Sequence, residues 1–179
     1  KREGGAYVSA SHNPPEYNGF KLANGYSETL VSDGMKELLR LVQEEDYDKG
    51  KKPGVVKFVD VKEDYFKDIL RRVSIKKKLR VLIDASNATA GALAPDLLRR
   101  AGMDVVEKNC NVDPSFPLGV ADPTSSIIAN RLAKEVLESK ADIGFNYDAD
   151  GDRRGIVDNK GTIIWNDVLV ALFAKDVLK

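Results

Sequence analysis

Short apolar runs alternate with segments of helical periodicity from Leu79 onward, and this alternation limits the possible folds more than any other feature of the chain. The runs at 79–83 and 104–107 predict strands, and the segment at 91–101 predicts a helix between them. Two strands joined by a crossover helix pair in parallel. The sequence therefore predicts an α/β fold, a mixed sheet with flanking helices.

The other segments extend this pattern on both sides. Further helices are predicted at 33–45, 63–73 and 126–139, and further strands at 55–61 and 141–147. The runs at 154–157 and 162–165 predict a hairpin, and Asn166 is a candidate cap for a last helix. Breaks in the pattern at 49–54 and at Lys76–Lys78 separate these segments, and the lysine run predicts a domain boundary.

Composition and charge argue against several classes of partner. Hydrophobic residues make up 42% of the chain and charged residues 31%, which is typical of a chain that folds. Lys and Arg total 28, as do Asp and Glu, so we expect no binding to nucleic acid or to an anionic membrane surface. We expect no membrane span and a cytoplasmic location, and the single Cys110 fits a reducing compartment as a buried thiol.

A serine loop follows the short apolar run at Tyr7 and Val8. Ser9, Ala10, Ser11, His12 and Asn13 precede two prolines, which disfavour a helix. A serine oxygen can accept and pass on a phosphoryl group where cationic groups offset the charge, and His12 and Lys21 lie close in sequence. The alternative is that these serines only form turns and that His12 is solvated.

An aspartate loop, residues 148–152, follows the strand predicted at 141–147. Asp148, Asp150 and Asp152 alternate, so their carboxylates are expected to face one way and to need a cation. Oxygen ligands favour magnesium or calcium, but an EF-hand would require glycine at Arg153 and glutamate at Asn159. Magnesium with a phosphate is the better match, and a solvated acidic turn is the alternative.

The two loops together resemble the α-D-phosphohexomutases, and most of all the bacterial phosphomannomutase/phosphoglucomutase branch of that family. The resemblance rests on the residues at 9–15, 18–21 and 148–153 and extends over essentially the whole chain. It implies that residues 1–75 are the C-terminal part of domain 1, that 76–160 form domain 2, and that 161–179 begin domain 3. The remaining domains of a longer parent chain are then expected partners.

The resemblance also implies a function and a set of site residues. Hexose 6-phosphate and hexose 1-phosphate would interconvert through a phosphoserine and a bisphosphorylated sugar, with Mg²⁺ as cofactor. Ser11 would carry the phosphate and serve as a metal ligand. The remaining roles would fall to residues of both loops: metal ligands Asp148, Asp150 and Asp152, and catalytic residues His12, Lys21 and Arg153.

The chain departs from the family pattern at several places. The sugar-reading Gly-Glu-x-Ser-Gly-His segment and the Arg-x-Ser-Gly-Thr-Glu phosphate clamp are absent, so the chain alone is expected to be incomplete for turnover. Ala88 and Ala149 replace usual glycines, and the stretch 118–121 lacks the usual histidine and proline. The alternatives are a haloacid-dehalogenase-type phosphatase, with Asp148 as nucleophile and Asp150 as acid, and a non-catalytic metal-binding domain.

Overall fold

The computed structural model describes residues 3–14, 16–47 and 50–178, so Pro15 of the serine loop and Lys49 of the predicted break lie outside the described residues. The chain divides into two compact units. The first comprises Lys1–Ala10 and Asn18–Asp60, and the second comprises Ser11–Tyr17 and Val61–Lys179. Ser11–Tyr17 therefore belongs to the same unit as the aspartate loop, although the segments directly before and after it in sequence belong to the first unit.

The first unit is small and built around a two-stranded antiparallel ribbon. Strand β1 (Gly4–Val8) pairs with β2 (Phe20–Asn24), and a short 3₁₀ turn (Gly25–Ser27) and helix α1 (Asp33–Gln43) follow. The predicted helix at 33–45 is thus confirmed, two residues shorter. A backbone hydrogen bond from Ser9 N to Gly19 O (2.9 Å) closes the ribbon at the point where the serine loop begins.

The strand predicted at 55–61 was wrong. Residues 55–60 belong to no helix or strand, and their apolar side chains are exposed, Phe58 to 98% and Val55 to 84%. Valine and phenylalanine favour a strand only when a neighbouring strand and a buried face are available to them. Within the described residues this segment pairs with no strand, so its β-propensity has no effect on its structure.

The second unit contains a five-stranded sheet with helices around it. Its elements follow in this order: α2 (Lys62–Arg72), β3 (Arg80–Asp84), a 3₁₀ turn (Thr89–Ala92), α3 (Ala94–Arg100), β4 (Asp104–Lys108), α4 (Ser126–Ser139), β5 (Ile143–Tyr147), β6 (Arg154–Asp158), β7 (Ile163–Ile164) and α5 (Asn166–Val177). The strand order is β4-β3-β5-β6-β7. Strand β3 pairs in parallel with β4 and β5, while β6 and β7 add antiparallel edges. The prediction of a mixed α/β sheet is confirmed.

Two apolar clusters hold the sheet between its helices. On one face, Leu132 and Val136 of α4 are fully buried against Leu82 and Val157 of the sheet. They lie four residues apart on one side of the helix, as the sequence pattern indicated. The second cluster is formed by Val81, Ile83 and Met103.

Three smaller features differ from, or add to, what the sequence predicted. The helix predicted at 91–101 is divided into the 3₁₀ turn and α3, and the cap of α5 is Trp165, since Asn166 is already helical. Cys110 is partly buried, and burial raises the pKa of its thiol to about 11, so it is a poor nucleophile at neutral pH. Among the described residues, no helix is both long and apolar enough to cross a membrane.

Candidate active site

The aspartate loop connects two paired strands. Tyr147 at the end of β5 lies opposite Arg154 at the start of β6, so residues 148–153 must turn the chain within six positions. Backbone hydrogen bonds from Asp148 N to Arg153 O (3.2 Å) and from Gly151 N to Asp148 O (3.1 Å) close the loop. Gly151 has φ +76°, which an L side chain adopts only with strain. This tight turn brings the three aspartates of the loop together.

The three carboxylates of the loop lie close together but differ in burial. One oxygen each from Asp148, Asp150 and Asp152 lies within 4.8 Å of the others. Asp148 is fully buried, Asp150 is partly buried and Asp152 is exposed. Burial raises the pKa of the Asp148 carboxyl above its usual range, an effect that its hydrogen bond from the Arg153 backbone partly offsets. An ionised Asp148 at this depth therefore needs nearby positive charge.

The donor set fits a hard divalent cation. Mg²⁺ binds oxygen ligands at about 2.1 Å and Ca²⁺ binds them at about 2.4 Å. Carboxylate oxygens that lie within 4.8 Å of one another do not distinguish between these two ions. The cluster could bind a metal, and all three donors are of the oxygen type that such cations prefer.

Arg153 links the aspartate loop to the serine loop. Its Nε donates to Asp148 Oδ2 (2.9 Å), its Nη2 forms an ion pair with the same oxygen (2.7 Å), and its backbone N donates to Asp148 Oδ1 (3.0 Å). The same Nη2 donates to Ser11 Oγ at 2.5 Å and contacts His12 Nδ1. The structure thus brings Ser11, His12, Arg153 and Asp148 into one connected group within the second unit.

Ser11 occupies an uncommon backbone conformation. Its φ is +54°, in the left-handed region, which costs a residue other than glycine about 1–3 kcal/mol when the surroundings impose it. Ser11 is also partly exposed. The predicted role of Ser11 as phosphate carrier stays a prediction.

Lys21 is placed in the first unit. It lies in β2 opposite Tyr7, and its ammonium group stands 5.7 Å from the centroid of the Tyr7 ring, within reach of a cation–π interaction. Its predicted role in catalysis, like the roles of the other site residues, stays a prediction.

The sequence reasoning missed two residues near the aspartate loop. Thr89 Oγ1 donates to the Ala149 carbonyl at 2.7 Å. Burial alone would raise the pKa of Asp122, but hydrogen bonds from Thr124 and the charges of His12 and Arg153 hold it below its usual value. Thr89 could have been found from its position after the carboxyl end of β3, because ligands bind beyond that end of parallel strands.

Comparison with known proteins matches two stretches of the chain to two domains of one family. The profile described as phosphoglucomutase/phosphomannomutase, alpha/beta/alpha domain II, matches residues 63–161, and the profile of domain I matches residues 1–49. Both matches lie in the order expected from the resemblance seen in the sequence. The first matches more than half of the chain.

Individual relatives agree with the profiles. The chain is 39% identical to the phosphomannomutase/phosphoglucomutase of Pseudomonas aeruginosa, over 97% of this chain and 37% of that protein. It is 36% identical to the phosphoglucomutase of Neisseria meningitidis, over 97% of this chain and 38% of that protein.

A solved structure agrees as well. It is that of a phosphoglucomutase/phosphomannomutase family protein from Burkholderia thailandensis, which superposes with a TM-score of 0.91 at 32% identity and covers 98% of this chain and 38% of that one. The chain thus spans little more than a third of the length of each of these three proteins. By its profile matches and its fold, the chain belongs to the phosphoglucomutase/phosphomannomutase family.

Proposed function

We propose that this chain carries the phosphoserine and the metal site of a phosphohexomutase, which interconverts hexose 6-phosphate and hexose 1-phosphate. One observation carries the proposal: the Arg153 guanidinium joins Ser11 Oγ to the buried carboxylate of Asp148. A phosphoryl group on Ser11 would therefore sit against a fixed positive charge and beside a cluster of metal-binding oxygens. The substrates proposed are hexose phosphates, since the named relatives act on glucose or mannose phosphates.

The reaction proposed for Ser11 has two symmetrical halves. In the first, the bond between Ser11 Oγ and phosphorus breaks while a sugar hydroxyl oxygen bonds to the same phosphorus, and the hydroxyl proton passes to a nearby base. The product is a bisphosphorylated sugar, which reverses its orientation in the site and returns its other phosphate to Ser11. His12, in contact with Arg153, and Lys21 are the proposed participants in proton transfer.

Arg153 is proposed to stabilise the charge of the moving phosphoryl group. Its guanidinium already contacts the oxygen that would be both the leaving and the accepting atom. Asp148 orients that guanidinium through a hydrogen bond from Nε and an ion pair with Nη2, and it is itself fully buried, so the arginine is held before the substrate arrives. The same contacts leave Asp148 poorly placed to act as a nucleophile, which the haloacid-dehalogenase alternative requires.

Asp148, Asp150 and Asp152, together with the phosphate on Ser11, are the proposed ligands of Mg²⁺. When bound, the ion would neutralise negative charge on the transferring phosphoryl group. Beyond the site, we propose a cytoplasmic location and an association with the remaining domains of a longer parent chain.

Phosphate transfer from a labelled bisphosphate tests the function. Glucose 1,6-bisphosphate labelled with ³²P, supplied with Mg²⁺, is expected to label the chain at one site. Ser11→Ala should abolish the label, while Ser9→Ala, which removes a hydroxyl two residues away, should keep it. Label retained by Ser11→Ala would refute the phosphoserine. A wild-type chain that binds Mg²⁺ but takes up no label would instead favour a non-catalytic metal-binding domain.

The metal site makes a separate prediction. Asp150→Asn is expected to weaken Mg²⁺ binding at least about tenfold, because it removes one of three charged ligands without changing the shape of the side chain. Calorimetric titration of both proteins, with the phosphorylation state of Ser11 known, measures this. Asp64→Asn is the matched control, since it makes the same change at an exposed position on α2. Equal affinity in Asp150→Asn and wild type would remove Asp150 from the site.

A further inference from the structure

We propose that Thr89 is a positioning residue, whose hydroxyl holds the backbone of the aspartate loop and thereby sets the arrangement of the metal-binding carboxylates. The proposal rests on the metal site proposed above, which it deepens. Thr89 lies in the 3₁₀ turn after β3, about sixty residues away in sequence from the loop it contacts. The contacts described above for Thr89 include none to the serine loop and none to a carboxylate.

The contact falls at the centre of the metal-binding sequence. Thr89 Oγ1 donates to the carbonyl oxygen of Ala149 at 2.7 Å, and Thr89 N approaches the same oxygen at 3.4 Å. Ala149 separates Asp148 from Asp150, and its carbonyl belongs to the rigid peptide plane that also contains the nitrogen of Asp150. Holding this carbonyl therefore limits rotation of that plane, and with it the direction in which the Asp150 side chain leaves the backbone.

The segment that presents Thr89 is itself held in place. Asn87 N donates to Asn109 O (2.7 Å), Asn87 Nδ2 donates to Asn111 O (2.9 Å), and Asp113 N donates to Asn87 O (2.8 Å). These bonds fasten the segment to the chain that follows β4. The contact from Thr89 therefore connects a fixed frame to the aspartate loop.

Close packing at Gly91, two residues after Thr89, also restrains this segment. A Cβ added at Gly91 would overlap the backbone of Cys110, so the chain there runs as close as glycine permits. The backbone around Thr89 therefore has little room to move.

A second approach joins the same two segments. A Cβ at Gly151 would lie 3.6 Å from Ala90 Cβ, an ordinary contact distance, so the loop passes within about one methyl group of Ala90. Ala88 precedes Thr89 in the chain, and Ala149 supplies the carbonyl that Thr89 contacts. A hydroxyl that fixes one carbonyl is a direct means of defining the loop backbone at these positions.

The test compares two substitutions that differ in the hydroxyl. Thr89→Val keeps the branched shape and removes the donor, whereas Thr89→Ser keeps the donor and removes a methyl group. Mg²⁺ affinity by calorimetry is expected to fall about three- to tenfold in Thr89→Val, the range of one hydrogen bond, and to stay within about twofold of wild type in Thr89→Ser. Urea unfolding, followed by the fluorescence of the sole tryptophan, Trp165, serves as the stability readout.

Each outcome bears on a different claim. Rescue of Mg²⁺ affinity by Thr89→Ser, at unchanged unfolding midpoint, supports positioning. Equal affinity in Thr89→Val and wild type would overturn the positioning role and leave the metal site intact, and so would equal weakening in both variants. A wild-type chain that binds no Mg²⁺ would overturn the metal site and this proposal together.

Discussion

The 179-residue polypeptide by itself is expected to accept phosphate on Ser11 but to interconvert hexose phosphates at least about 10⁵ times more slowly than a full-length phosphohexomutase. The reason lies in positioning. Holding a substrate in a reactive geometry can contribute about 7 to 11 kcal/mol to lowering a barrier, and each 1.36 kcal/mol is a factor of ten in rate. A loss at the lower end of that range already accounts for the expected factor.

The residues present in the polypeptide serve only one end of the substrate. In the proposed reaction, Ser11, Arg153 and the three aspartates would surround the phosphoryl group that is transferred. The printed sequence contains neither the sugar-reading segment nor the phosphate clamp of the related family, and Arg72-Val73-Ser74 continues with Ile75 instead of glycine. With nothing to hold its other phosphate, the bisphosphorylated intermediate would dissociate before it could turn.

A coupled assay measures this difference: glucose 1-phosphate is the substrate, and a dehydrogenase oxidises the glucose 6-phosphate formed while it reduces NADP⁺. The phosphomannomutase/phosphoglucomutase of Pseudomonas aeruginosa is a suitable full-length standard, being 39% identical to this chain over their shared region. Ser11→Ala controls for contaminating mutase. Turnover close to that of the standard, and lost in Ser11→Ala, would show that the absent segments are dispensable.

The elements with a complete buried face were predictable from the sequence. Helix α4 occupies Ser126–Ser139 as predicted, because its apolar residues form one stripe that packs on the sheet. The segment at 55–61 consists largely of residues with high β-propensity, yet it forms no strand. Whether a strand forms depends on a partner elsewhere in the chain, and local propensity holds no information about that partner.

The candidate site divides in the same way. The grouping of Asp148, Asp150 and Asp152 could be predicted because alternation after a strand is a local property. That Arg153 joins Ser11 to Asp148 depends on a contact between residues 142 positions apart, which only the fold reveals. The position of Thr89 after β3 could be predicted from the sequence, but its contact could not, because the partner is a backbone carbonyl that no side-chain pattern marks.

Gly144→Ala is expected to destabilise the second unit by about 3 kcal/mol, roughly a 150-fold change in its folding equilibrium. Gly144 is the second residue of β5, beneath helix α4, and is buried. An added Cβ would overlap Val136 Cγ2 and would lie 3.1 Å from Leu132 Cδ1. Val136 cannot rotate away, since a branched side chain in a helix has essentially one rotamer and this one is fully buried.

Urea unfolding monitored through Trp165 measures the loss, because this tryptophan lies between β7 and α5 of the same unit. The control is the double variant. Val136→Ala alone should cost about 2 to 3 kcal/mol through lost burial and the cavity left behind. In that background the methyl group of Gly144→Ala enters the space vacated by Val136, so the second substitution should cost less than about 1 kcal/mol. Equal costs in both backgrounds would show that Val136 is not what excludes a side chain at position 144, and that β5 requires glycine for another reason.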